Sequence, residues 1–108
     1  MKIIEDPQHK YCGVGRTLKV LGNKWTAMLL HNLFQGKNRF GELQRSMDGI
    51  SPKTLSIRLK ELEKEKIIKK KIFAEVPLRV EYSLTDKGKS LGKIFKEMAK
   101  WGERHNKN

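Results

Sequence analysis

The chain is poor in cysteine, proline and aromatic side chains, and it has no long apolar run. A single cysteine, Cys12, in 108 residues excludes an internal disulfide framework and any cysteine-clustered zinc site. Three prolines and nine glycines are too few for a low-complexity or disordered chain. No apolar stretch approaches the ~18–20 residues that a membrane span needs. Met1 to Tyr11 is polar and lacks the apolar centre of a secretion signal, so a cytoplasmic location is expected. His9, His31 and His105 stand at no metal-ligand spacing with one another or with Cys12, and no metal partner is expected. There is no Gly-rich phosphate loop, nucleophile elbow or HExxH motif. The expectation is a protein without catalysis or cofactor.

What the chain has in excess is positive charge. Lys and Arg number 24 against 12 Asp and Glu, a net charge of +12 with a pI near 10.0. The excess is spread, with +4 on residues 1–50 and +8 on residues 51–108. Such a balance points to a polyanionic partner, nucleic acid before an anionic membrane. With 37% apolar residues, 108 residues fill one modest core, so residues 1–108 are read as one domain behind a polar lead-in, 1–11.

Hydrophobic periodicity then divides the chain. Arg16 to Leu21 suits a short helix closed by Gly22. Asn23 can cap a second helix, Lys24 to Phe34, with Trp25, Met28, Leu29 and Leu33 on one stripe. Phe40, Leu43 and Met47 predict a helix of about two turns, and Asp48-Gly49-Ile50 a tight turn. Ser51 is an N-cap and Pro52 occupies the first helical position of a helix to about Glu65, with Leu55, Leu59 and Leu62 inward. The period then changes from 3.6 to 2. Ile68 to Ala74 and Arg79 to Leu84 read as a β-hairpin with Pro77 near its tip. Thr85 caps a last helix, about Asp86 to Arg104, striped by Leu91, Ile94, Phe95, Met98 and Trp101.

Two helices joined by a short Gly-containing turn, followed at once by a hairpin, form a winged helix-turn-helix: a mainly α fold with a small β wing. The second helix of such a pair enters the DNA major groove. Lys53, Ile57, Lys60 and Lys64 lie opposite the leucines, with Thr54, Ser56 and Arg58 on the flanks. Recognition helices make base contacts near their N-termini, which nominates Ser51, Lys53, Thr54, Ser56, Ile57 and Arg58. Arg39, at the start of the first helix of the pair, and Lys69, Lys70, Lys71 and Arg79 on the wing are candidate phosphate contacts. The plainer reading of the lysine run is a solvated edge strand kept from aggregating. The apolar stripe of the last helix is wider than a lone winged helix needs. With Leu18 and Leu21 it predicts a symmetric homodimer through Leu91, Ile94, Phe95, Met98 and Trp101.

The sequence resembles the HxlR-type winged helix-turn-helix transcriptional regulators. The densest segments are Gly22-Asn23-Lys24-Trp25, Arg39-Phe40-Gly41-Glu42-Leu43 and Gly49-Ile50-Ser51-Pro52-Lys53-Thr54-Leu55-Ser56. Arg58-Leu59-Lys60-Glu61-Leu62-Glu63 and Val80-Glu81-Tyr82-Ser83-Leu84-Thr85 follow, and the resemblance runs from Cys12 to His105. It implies a DNA-binding regulator acting as a homodimer on an operator; the two-fold dimer makes a pseudo-palindromic operator the expectation, and a lone domain with no activation or effector module makes repression the default. Three positions depart from the family's habit. Ile57 stands where Gln is common and can offer a base only apolar contact, for example to a thymine methyl. Gly13, not Pro, follows Cys12, and Asn23 replaces Gly. Some members sense oxidants or electrophiles through a cysteine at the place of Cys12. His9, Lys10, Arg16 and a following helix start would favour its thiolate. The plainer reading is an inert packing cysteine at the dimer seam. A basic winged helix coating DNA or binding RNA with little specificity is the alternative function.

Overall fold

In a computed structural model of the chain, residues 12–105 are described. His9, Lys10 and the rest of the lead-in lie outside them. Six helices and one hairpin follow in the order α1 (Gly13–Leu21), α2 (Lys24–Phe34), α3 (Phe40–Ser46), α4 (Pro52–Lys64), β1 (Ile68–Phe73), β2 (Arg79–Leu84), α5 (Asp86–Lys89) and α6 (Gly92–His105).

The helix starts follow their caps. Asn23 Oδ1 accepts the N–H of Trp25 at 2.9 Å and of Thr26 at 3.4 Å, which fixes the start of α2. Ser51 Oγ accepts the Thr54 N–H at 3.1 Å, and Pro52 takes the first turn of α4. Gly49 holds φ +88° in the turn between α3 and α4, a backbone that L side chains rarely adopt. α4 ends with Lys66 at φ 60°, where the Ile67 N–H reaches the Leu62 carbonyl and the Lys66 N–H reaches Glu63. A lysine, not a glycine, occupies this left-handed cap.

Leu29, Leu30, Leu43, Met47, Leu55, Leu59, Leu62, Ile67 and Ile68 close one core between α2, α3, α4 and the base of the hairpin. Burial of each large side chain contributes about 1.5–3 kcal/mol before the opposing entropy. β1 and β2 pair antiparallel, with Ile68 opposite Leu84 and Phe73 opposite Arg79. The Tyr82 N–H donates to the Asn38 carbonyl at 2.8 Å, tying the segment before α3 to the outer edge of β2.

The last helix is two, not one. α5 stops at Lys89 and α6 begins at Gly92. Thr85 caps α5 as expected, accepting the Gly88 N–H at 3.1 Å, and its hydroxyl donates to the Lys66 carbonyl at 2.6 Å. Gly88 is pressed on the chain after α4: a Cβ there would stand 2.2 Å from the Ile67 carbonyl oxygen. This short helix is docked on the core, and Ser90 and Leu91 separate it from α6. α1 starts at Gly13, a turn earlier than Arg16, which adds Val14 to its apolar side.

Candidate nucleic-acid interface

α4 is the rigid centre of the site. Leu55, Leu59 and Leu62 pin one side in the core, so the opposite side must face solvent. Ser51, Lys53, Ile57, Lys60 and Lys64 are exposed there, and Thr54 and Ser56 are half-buried on its shoulders. Ile57, 44% exposed among lysines, is an apolar side chain that the fold does not use. It suits contact with a thymine methyl in a groove about 12 Å wide.

Arg58 is placed otherwise. It stands toward the inner edge of α4, and its guanidinium Nη1 lies 2.6 Å from Glu61 on the next turn. It lines a cavity with Asn23 and Thr26 of the α2 start. The sequence puts Arg58 on the flank of the groove face; the structure turns it along the helix, its charge already paired.

At the start of α3, Glu42 Oε1 accepts the Arg39 N–H at 3.2 Å and the Asn38 N–H at 3.3 Å. A carboxylate already occupies the place where a helix terminus was expected to favour phosphate. The exposed Arg39 side chain retains its charge for a phosphate, without that help from the helix end.

The wing does not present its cations as one patch. Side chains alternate across the hairpin, so Lys70 shares a face with Ile72, Val80 and Tyr82, while Lys69 and Lys71 lie on the other. Burial raises the Tyr82 phenol above its usual 10.0, and the charge of Glu63 on α4 raises it further. Ile68, on the same face as Lys70, is buried in the core with Leu59 and Leu62, so the face carrying Lys70 is the one toward α4. Arg79 is held in cis by Glu75 at 2.8 Å and by Glu81, with its guanidinium carbon 3.8 Å from the Phe73 ring centre. The hydrogen bond that Arg79 donates to Glu75 is the largest influence raising its pKa, and desolvation opposes it. An arginine so engaged orders the hairpin and is poorly available to phosphate. Lys37 and Lys89 join Lys69 around a shallow cleft of about 310 Å³ on the outer side of the wing. Nothing in their spacing signals this convergence, because three separate elements supply the three lysines.

The apolar stripe also divides. Leu21, Leu91 and Phe95 pack against the chain's own core, Phe95 meeting Phe34 with ring centres 5.5 Å apart. Leu18, Ile94, Met98 and Trp101 stay exposed, joined by Val14, which stands one turn before Leu18. Cys12, at the N-terminal edge of α1, is 1% exposed and free. Among the described residues no group of His, Cys, Asp or Glu is placed to hold a metal ion.

A helix pair with a capped, lysine-faced second helix and an antiparallel wing beside it is a winged helix-turn-helix DNA-binding domain. Residues 20–108 match the family model described as HxlR-like helix-turn-helix, and the chain belongs to that family. The HTH-type transcriptional regulator YvaP of Bacillus subtilis is 42% identical over 86 residues, covering 80% of this chain and 80% of that relative. A solved MarR-family regulator structure from Porphyromonas gingivalis is similar at TM-score 0.82 and 38% identity, over 96% of this chain and 99% of that one. The reduced form of the regulator YodB from B. subtilis is similar at TM-score 0.77 and 33% identity, over 96% and 97%. The chain is a DNA-binding transcriptional regulator. No described helix is long and apolar enough to cross a membrane. The family model begins at residue 20, after Cys12 and most of α1.

Proposed function

We propose that the protein is a cytoplasmic homodimeric repressor that reads a pseudo-palindromic operator in double-stranded DNA, without catalysis, cofactor or metal. The observation that carries the reading is the solvent side of α4. Lys53, Ile57, Lys60 and Lys64 stand together there on a helix fixed by its Ser51 cap and by the core. A helix so held presents its side chains without further backbone ordering. Ser51, Lys53, Thr54, Ser56 and Ile57 supply the base contacts, while Lys70 and Arg39 position the duplex. Lys69 and Lys71 reach phosphate from the outer face of the wing. Arg58 and Arg79 act within the protein, holding the α4 flank and the hairpin.

The dimer seam consists of Val14, Leu18, Ile94, Met98 and Trp101, with Leu21, Leu91 and Phe95 supporting it from below. These five are large apolar side chains left exposed on α1 and α6, and a partner covering them would remove that surface from water. Repression follows where a dimer bound at the operator excludes polymerase from the promoter.

A thiol response receives mixed support. YodB has been solved both reduced and after diamide treatment. In this chain the Cys12 side chain is buried, so attack by an oxidant requires the start of α1 to open first. With one cysteine per chain, oxidation either joins two subunits or couples Cys12 to a small thiol.

The reading is tested by selecting bound fragments from genomic DNA and footprinting the enriched site, with sedimentation of the free protein alongside. A two-fold footprint with half-sites about one or two helical turns apart, bound by a dimer, is expected. A monomer at micromolar concentration, or fragments sharing no motif, would refute it. The second outcome would instead favour an architectural protein of low specificity.

A further inference from the structure

α3 carries a glycine that neither its backbone nor the core requires. Gly41 is the second residue of α3 and has no positive φ. Glycine weakens a helix relative to alanine, and this helix is only 7 residues long. Gly41 is exposed, on the side away from the buried Leu43, so no packing in the core calls for a small residue. Beyond its own helix backbone and chain neighbours, a Cβ at Gly41 would meet one side chain within 4 Å. That side chain is Arg45, with Nη1 at 3.2 Å and Cζ at 4.0 Å.

These distances locate the Arg45 guanidinium. Helical side chains lean toward the N-terminus, so residue 45 reaches back one turn over residue 41. An alanine methyl at 41 would push the guanidinium aside by a few tenths of an ångström. Lying over Gly41, the group is close to Arg39, the exposed residue that precedes α3. Glu42 is turned to the N–H groups of Asn38 and Arg39 rather than to either arginine side chain. Arg58 and Arg79 are both paired, whereas Arg45 enters no ion pair among the described residues. Two arginines without a carboxylate partner thus stand together on the exposed side of α3.

We propose that Arg45 is a phosphate contact of the DNA-bound protein, laid beside Arg39 in the room that Gly41 leaves. The first helix of a helix-turn-helix pair crosses the sugar-phosphate backbone while the second enters the groove. A guanidinium fork matches two phosphate oxygens, and one with no carboxylate to release gives up no ion pair on meeting them. The cations carry the contact; the helix end, already taken by Glu42, does not. Gly41 acts through Arg45, by letting the long side chain lie in place before DNA arrives. The contact reads no base. It rests on the DNA-binding reading but not on any particular operator.

The test measures fluorescence anisotropy on a random-sequence duplex across a range of salt. It compares wild type, Arg45→Ala, Arg45→Lys, Gly41→Ala and the double variant, with Lys96→Ala removing one exposed charge from α6. Arg45→Ala should lower affinity at least about fivefold at low salt and flatten the salt slope by about 0.9. Arg45→Lys keeps the charge but loses the fork, so its slope should match wild type with affinity roughly two- to threefold lower. Lys96→Ala should change affinity by less than about twofold. Gly41→Ala should weaken binding roughly two- to threefold, and have no further effect once Arg45 is alanine, because residues that act through one contact are not additive. Thermal melts report whether each variant is folded. An unchanged slope in Arg45→Ala, or an equal loss in Lys96→Ala, would overturn the Arg45 contact. A Gly41→Ala loss that persists without Arg45 would overturn the role of Gly41. A wild type that binds no duplex would overturn the DNA reading itself, and this contact with it.

Discussion

Replacing Ser51 separates the two duties of the α4 start. Its hydroxyl accepts the Thr54 N–H at 3.1 Å, and no acidic residue stands in the first turn to share the task. Ser51→Ala removes that acceptor and should cost about 1 kcal/mol. For a domain of this size that is a fall in Tm of about 4–6 °C. Ser51→Asp keeps an acceptor and adds a charge that the helix dipole favours by roughly 0.3–1 kcal/mol, so its Tm should match or exceed wild type. Its effect on DNA is opposite. A new carboxylate at the groove end of α4 meets phosphate, and unit charges in such a place oppose each other by roughly 1–4 kcal/mol. Duplex affinity should fall at least fivefold at low salt, and the loss should shrink as salt rises. Calorimetry and fluorescence anisotropy on the three proteins give both quantities. Undiminished DNA affinity in Ser51→Asp would remove the α4 N-terminus from the DNA surface. An unchanged Tm in Ser51→Ala would show that the cap contributes nothing.

Other positions give independent checks. Lys70→Ala should reduce binding to all duplexes and flatten the salt slope by about 0.9, and more than Lys69→Ala does, because only the Lys70 face adjoins α4; equal slopes for both would undo that assignment. Gly88→Ala should destabilise by about 1–3 kcal/mol, since its Cβ would stand 2.2 Å from the Ile67 carbonyl oxygen; a neutral result in thermal melts would mean that α5 is loosely docked. Tyr82, raised by burial and by Glu63, keeps its proton in the fold to a higher pH than in the unfolded chain. Its contribution is therefore complete below pH 10 and lost as pH rises through the folded pKa. Tyr82→Phe should reduce the alkaline loss of stability above pH 10, and a pH–stability curve identical to wild type would contradict this.

Much of the fold was legible because local signals agreed with the tertiary structure. Asn23 and Ser51 are caps wherever they occur before an apolar stripe, and Gly49 serves a turn that needs positive φ. The alternation from Ile68 to Phe73 admits one reading. The break between α5 and α6 was hidden because Thr85 marks a helix start and the apolar stripe begins only at Leu91, so the periodicity does not mark the gap. What interrupts the helix is the approach of Gly88 to Ile67, 21 residues earlier, and periodicity does not carry long-range contact. The same limit applies to Arg79. Its charge is visible in the sequence, but Glu75, Glu81 and Phe73 surround it only once the hairpin closes. Arg58 was closer to legible, since its place on the helical wheel is nearer to Leu55 and Leu62 than to Lys53. The division of the last stripe between core and surface was not legible, because both parts are equally apolar.

The central claim, that the exposed face of α4 reads sequence, is tested most directly by a ratio of affinities at fixed salt. The selected operator and a scrambled duplex of equal length are bound to wild type and to Ile57→Ala with Lys53→Ala. Wild type should prefer the operator by at least about 10³-fold, and the double variant should lose at least tenfold of that preference while holding scrambled DNA within a few-fold of wild type. Equal affinity of wild type for both duplexes, or a variant that loses operator and scrambled DNA alike, would contradict the account.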